Sequence, residues 1–433
     1  MDSTDTSLPG RTADRLTGGR LRSRRSRRLM RYMMVLGPGL IAANAGNDAG
    51  GVVTYASAGA QFRYRVLFLM VLITVALVIV QEMAARLGAY TGQGLMSLIR
   101  EEFSLRVATF AVVCLIVANL GLVVAEFAGI AAALEIFGVT RYLSVPLAAV
   151  VIWGSVVFGS YRYAERVFLL LSLVFFAYPI AAVLAHPNWH QVVSDSFLPH
   201  FTATRAFLLL AVALVGTTIT PYMQLYQAAA VADKGTGSDD YKIVRVDAIA
   251  GSVFSNVIAA SIIVATGAAI GGRGPLTSAK EAARALKPVA GAAAEKLFGI
   301  GLLGASALAA AVVPLSTAYA LAEAVGAERS VSRKFSEAPL FLGLFTGQVI
   351  LGALLALKPG NLVNLLIGTQ VLNGLITPIV LAFILTLANR RSLLGEAANG
   401  PVFRAVAFLC ICAVGALSLV VFGQTVLGWV GLA

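Results

Sequence analysis

The sequence predicts an all-α integral membrane protein of about eleven transmembrane helices, built as two inverted five-helix repeats with helices 1 and 6 broken. Three observations carry this. The 433 residues are 58% hydrophobic and 12% charged, with a mean hydropathy of +0.85, where soluble domains carry about 25% charged residues. Apolar runs of roughly 20 residues, enough to cross a bilayer, follow one another almost to the end. Two of those runs, five apart, contain residues that interrupt a helix.

The runs cover approximately 35–58, 66–88, 106–134, 142–159, 164–185, 206–232, 247–271, 297–324, 339–357, 362–388 and 403–428. Repeat one is expected over about 35–185 and repeat two over about 206–388, with an extra helix at about 403–428. Residues 1–30 read as a disordered basic tail and 31–433 as one transmembrane domain. The connectors are short except for "GGRGPLTSAKEAARALKPVAGAAAEK", residues 271–296, which has room for a short amphipathic helix.

The net charge is +12, and much of it lies in "RTADRLTGGRLRSRRSRR", residues 11–28. A cytosolic tail that obeys the positive-inside rule and touches anionic lipid explains this segment without nucleic acid. The remaining Lys and Arg also favour the side of the N-terminus. The expected orientation in the cell membrane is N-terminus cytoplasmic, C-terminus extracellular. No small-residue cleavage pattern follows the tail, so a signal peptide is not expected. Cys114, Cys410 and Cys412 all lie in apolar runs and read as buried small hydrophobes. His186, His190 and His200 share one loop region, and no Cys/His metal spacing occurs. An enzyme is not expected, because no nucleophile–base pair or metal cluster is available at membrane depth. No cofactor is expected either, and a monomer in lipid suffices.

The first interrupted span contains "NAGNDAGGVVTYASAGA", residues 44–60. Gly50 and Gly51 weaken the helix, and Asp48 is a carboxylate where lipid would lie. Span 6 contains "VGTTITPYMQLYQ", residues 215–227, where Pro221 removes a backbone donor and breaks or kinks the helix. Irregular backbone at membrane depth is tolerated where it lines a cavity, and paired breaks mark the binding site of secondary transporters. Asp48 could serve simply as a cap for the second half of helix 1. Intramembrane carboxylates are nevertheless costly and functional by default, so a cation role is expected, with freed carbonyls and helix ends adding attraction.

These residues resemble the NRAMP family of divalent-metal transporters over nearly all of spans 1–10. "GPGLIAANAGNDAGG", residues 37–51, is similar to the family's GPG and DPGN start, which places Asp48 on the metal-binding aspartate. "QEMAARLGAYTGQGL", residues 81–95, looks like the span-2 signature, and "YRYAERVF", residues 161–168, like the loop before span 5. "GTTITPY", residues 216–222, lies where the family has Met-Pro-His, and "TQVLNGLITP", residues 369–378, puts Gln370 on a metal-facing glutamine. The resemblance implies the LeuT-like (APC) fold. It also implies a metal site of Asp48, Thr220, Gln370 and a freed backbone carbonyl near Thr217, with Gly51 and Asn47 at its edge.

Several positions depart from the family. Gly51 replaces the asparagine ligand of DPGN, Thr220 the span-6 methionine ligand, and Tyr222 the histidine after the proline. In span 3 the acidic pair keeps Glu126 but has Val123 in the other place, and in span 9 Gly347 replaces an arginine. A thioether favours softer transition metals. Threonine oxygen and a roomier cavity suit Mg²⁺, which keeps several waters and takes few carboxylates. The pattern resembles the NRAMP-related magnesium transporter branch, which implies Mg²⁺ as substrate with Mn²⁺ also accepted. The family's proton-route histidine, aspartate and arginine are missing, and tyrosine is a poor relay at neutral pH, so proton coupling is not expected. The rivals are an ordinary proton-coupled Mn²⁺/Fe²⁺ transporter and a sodium-coupled amino-acid transporter of the same architecture.

Overall fold

The computed structural model describes residues 47–158, 176–202, 204–233, 235, 237, 240–326, 335–358 and 360–429. The regular elements among them are all helical. The basic tail, the first part of span 1, the 161–168 loop and most of span 5 lie outside the described residues.

The helices are α1 (Ala49–Phe62), α2 (Leu67–Thr91), α3 (Leu95–Glu102), α4 (Leu105–Ile136), α5 (Arg141–Val157), α6 (Ala177–Leu184) and α7 (Trp189–Phe197). They continue with α8 (Arg205–Thr218), α9 (Pro221–Asp233), α10 (Tyr241–Ile270), α11 (Ala294–Val325), α12 (Pro339–Ala356), α13 (Leu362–Ala388) and α14 (Pro401–Trp429). Eight stretches among the described residues are long and apolar enough to cross a membrane, and they match expected spans 2, 3 and 6–11. Span 4 is α5, which is shorter at 17 residues. Span 1 is described from its midpoint onward as α1, and span 5 by its end, α6.

These helices are apolar on every side because a lipid-embedded helix has no aqueous face. Leu72 and Val75 of α2, Leu147 and Val150 of α5, and Leu409 and Leu419 of α14 are about half exposed or more on the outer surface. Of the three cysteines expected to be buried, Cys114 and Cys410 are half-buried and Cys412 lies on that exposed side of α14. In lipid an outward thiol costs little, so hydropathy alone does not reveal which way it faces.

Inside, small residues let the helices close up, as packing in lipid requires. Gly216 of α8 and Gly374 of α13 meet where a Cβ on either would strike backbone of the other helix, at the carbonyls of Gln370 and Val212. Between α10 and α11 the long connector forms short helical turns at Ala279–Ala283 and Lys287–Ala290, with Leu276, Ala282 and Leu286 buried.

Two details revise the sequence reading. Gly50 and Gly51 do not open helix 1; both are helical and buried within α1, and the helix starts at Asp48, which is its N-cap. Gly50 instead leaves room for Gln370, whose side chain would collide with a Cβ there. Pro221 is the first residue of α9 rather than the break itself, a position where its fixed φ and missing N–H suit a helix start. The chain leaves helical geometry just before it, at Ile219 and Thr220.

Candidate metal-binding site

Asp48 caps α1 with one oxygen. Its Oδ1 accepts the backbone N–H of Gly51 at 2.6 Å and lies 3.5 Å from Gln370 Nε2 of α13. The capping alternative considered for Asp48 is therefore met, yet it occupies only half of the carboxylate. Oδ2 is buried and has no protein partner among the described residues.

Glu126 of α4, fully buried, faces the Asp48 carboxyl. Its Oε2 accepts the Ala49 N–H at 3.4 Å, while Oε1 has no protein partner among the described residues. Two carboxyl groups enclosed together cannot both keep a bare charge, so a cation or a proton must sit with them.

Thr217 at the end of α8 and Thr220 beyond it are fully buried, and their hydroxyls also lack protein partners among the described residues. So do Gln370 Oε1 and both amide atoms of Asn373, one turn along α13. At the span-6 break the Ile219 carbonyl accepts Thr377 Oγ1 at 3.2 Å and the Thr220 carbonyl accepts the Met223 N–H at 3.1 Å. Tyr55 of α1 and Thr218 of α8 share a hydrogen bond of 3.0 Å and tie the two interrupted spans together.

Of the residues singled out in the sequence, Asp48, Gly51 and Gln370 are in direct contact. Gly51 contributes its N–H to the cap. Asn47 turns away, its Nδ2 donating to Ser255 Oγ of α10 at 3.2 Å. Glu126 was legible as a lone carboxylate in an apolar run, the same signal that marked Asp48, but its position opposite Asp48 was not. Among the described residues no three His, Cys, Asp or Glu side chains cluster to cage a metal.

Residues 39–424 match the family model described as natural resistance-associated macrophage protein-like, or Nramp. The chain belongs to the Nramp family. It is 27% identical over 392 residues to the "divalent metal cation transporter MntH" of Aeromonas hydrophila, covering 88% of this chain and 93% of that protein. The MntH of Clostridium acetobutylicum is 25% identical over 424 residues, covering 93% and 94%. The fold is that of a manganese transporter from Eremococcus coleocola, with a TM-score of 0.74 at 20% identity over 93% of this chain and 89% of that one. A nucleobase-cation-symport-1 family transporter shares the architecture more distantly, with a TM-score of 0.57 at 15% identity over 89% and 90% of the two chains.

In this Nramp member Val123 is fully buried and packs where a Cβ on Gly352 of α12 would strike it. An apolar contact thus fills the place where the family resemblance implies an acidic residue. Tyr222 is buried beside the break. Gly347 has open space around it.

Proposed function

We propose that this chain is a secondary transporter for uptake of divalent metal cations, that Mg²⁺ is its main substrate with Mn²⁺ also carried, and that uptake is not coupled to protons. The observation that carries this reading is a group of buried oxygens on the interrupted spans, α4 and α13 that lack protein partners among the described residues, namely Asp48 Oδ2, Glu126 Oε1, Thr217 Oγ1, Thr220 Oγ1, Gln370 Oε1 and Asn373 Oδ1. All are hard donors, suited to Mg²⁺ and neutral toward Mn²⁺. With few carboxylates available, water completes the shell, so the ion travels partly hydrated. The relatives named divalent metal cation transporters support the substrate class. The loss of the thioether and of the asparagine ligand supports the magnesium branch.

Driving force suffices without protons. Two positive charges moving inward through about 100 mV gain about 4.6 kcal/mol. That holds an inward gradient of about three decades. The N-terminus faces the cytoplasm, the C-terminus the outside, and repeats 35–185 and 206–388 enclose the site, with the monomer as the working unit.

Glu126 favours a second reading. A carboxyl facing Asp48 is a group that can carry a proton, as a proton-coupled Mn²⁺/Fe²⁺ transporter needs. Proteoliposomes loaded with metal and pH indicators separate the two. Mg²⁺ entry at constant internal pH supports the first; Mn²⁺ entry with Mg²⁺ excluded, or acidification during uptake, supports the second.

A further inference from the structure

The far end of α1 does something a helix end does not need to do. Arg63, its C-cap, has φ +53° and ψ −124°, a conformation that glycine adopts freely and an arginine adopts under strain. Such strain persists where the surrounding structure enforces it, and it concentrates at binding sites. Here the surroundings enforce it from two sides. The Arg63 N–H is held by the Gly59 carbonyl at 2.9 Å, and the Gly272 N–H, just beyond α10, donates to the Ala60 carbonyl at 2.7 Å.

The strained turn opens onto a cavity of about 380 Å³, lined by Gln61, Phe62, Arg63, Arg65, Gln191 and Gly272. Three separate parts of the chain build it: the end of α1 with the turn after it, the loop helix α7, and Gly272 just after α10. The Arg63 guanidinium lies over Gly272, where an added Cβ would be 3.7 Å from Nε. Arg65 is exposed at the same cavity. Neither guanidinium forms an ion pair among the described residues. Asp195, one turn along α7 from Gln191, is turned inward, with Oδ1 3.7 Å from His200 Nε2. Arg205 and Arg273, at the start of α8 and after Gly272, are exposed and add positive charge to this face.

The 14 residues of α1 span about 21 Å, which carries the cavity from the depth of Asp48 to the edge of a hydrocarbon core roughly 30 Å thick. Guanidinium groups at such a place, bare, would repel an arriving divalent cation. Arginine forks bind oxyanions through paired, charge-assisted hydrogen bonds, and the Gln191 amide supplies a further neutral donor. We propose that this cavity is a binding site for a phosphate group, with Arg63 and Arg65 as its cationic donors and the Arg63 strain sustained to aim its guanidinium. The phosphate is either that of a lipid headgroup at the membrane edge or free phosphate in solution.

The test uses the full chain in a maltoside detergent, which carries no phosphate, and reads the melting temperature. One arm titrates inorganic phosphate against chloride at constant ionic strength. The other adds phosphatidylglycerol, with a phosphate-free glycolipid as control. Wild type should melt about 2 °C higher in one arm, and the arm that responds identifies the source. Arg65→Gln should lose the rise. Arg63→Gly should melt above wild type without ligand, because the strain is gone, and should also lose the rise. No rise in either arm overturns the proposal. So does a rise that Arg65→Gln and Arg63→Gly keep in full, or an Arg63→Gly variant that melts below wild type.

Discussion

Asp48 gives one carboxylate oxygen to the Gly51 N–H, at 2.6 Å, and keeps the other buried without a protein partner among the described residues. Capping and the proposed cation binding are thus divided between two atoms of one side chain, and a substitution can separate them. Asparagine caps a helix about as well as aspartate but carries no charge. Asp48→Asn should therefore melt close to wild type and transport nothing, as read by thermal melting and by metal uptake in vesicles. Asp48→Ala should also stop transport and lose about 1 kcal/mol of stability with the cap. Near-normal uptake by either variant would refute the assignment.

Glu126 adds the second carboxyl. Glu126→Gln keeps an acceptor for the Ala49 N–H and removes a charge facing Asp48. The KM for Mg²⁺ should rise on the order of tenfold, the scale of one partly screened charge interaction. Internal pH should stay flat in wild type and variant alike. A pH change in wild type that Glu126→Gln abolishes would make Glu126 a proton carrier.

Selectivity should follow the donors at two named positions. Thr220→Met with Gly51→Asn restores a thioether and an amide and narrows the space. Mg²⁺ uptake should fall most, because sulfur offers it little and its hydration shell loses room. Mn²⁺ uptake should fall less. Proton coupling should not appear, since Val123, Tyr222 and Gly347 are unchanged. Parallel uptake assays for the two ions, with internal pH followed, measure all three outcomes.

Two glycines should respond differently to alanine. A Cβ on Gly50 meets the Gln370 side chain, which can rotate away, whereas a Cβ on Gly216 meets backbone of α13. Gly50→Ala should cost little stability and weaken uptake, because Gln370 leaves Asp48. Gly216→Ala should destabilise by about 1–3 kcal/mol, the usual cost of overpacking. Melting and uptake of both variants decide this; equal losses of stability would contradict it.

The spans were legible because lipid writes them into long apolar runs, and eight reappear among the described residues as membrane-length helical stretches, one of them interrupted at Ile219 and Thr220. The span-6 interruption was legible from Pro221, although the chain leaves the helix at Ile219, since proline fixes where the next helix starts. Gly50 and Gly51 were misread. Glycine weakens an isolated helix, but in a packed bundle it also admits a neighbour, and sequence does not say which use applies. Asp48 was found on its residue type, a carboxylate at membrane depth, and Gln370 through the family resemblance of its stretch. The facing of Asp48 and Glu126, and the partnering of Tyr55 with Thr218, join residues of separate helices and have no local signature. The Arg63 strain is likewise a property of backbone angles that charge patterning does not reveal.

The most direct test of the central claim is Mg²⁺ accumulation in proteoliposomes under an imposed inside-negative potential of about 100 mV, with the same pH on both sides. The account predicts accumulation rising steeply with voltage, toward a limit of about three decades, with no change in internal pH and none of it in Asp48→Asn. Exclusion of Mg²⁺ while Mn²⁺ enters, or acidification that tracks metal entry, would contradict it.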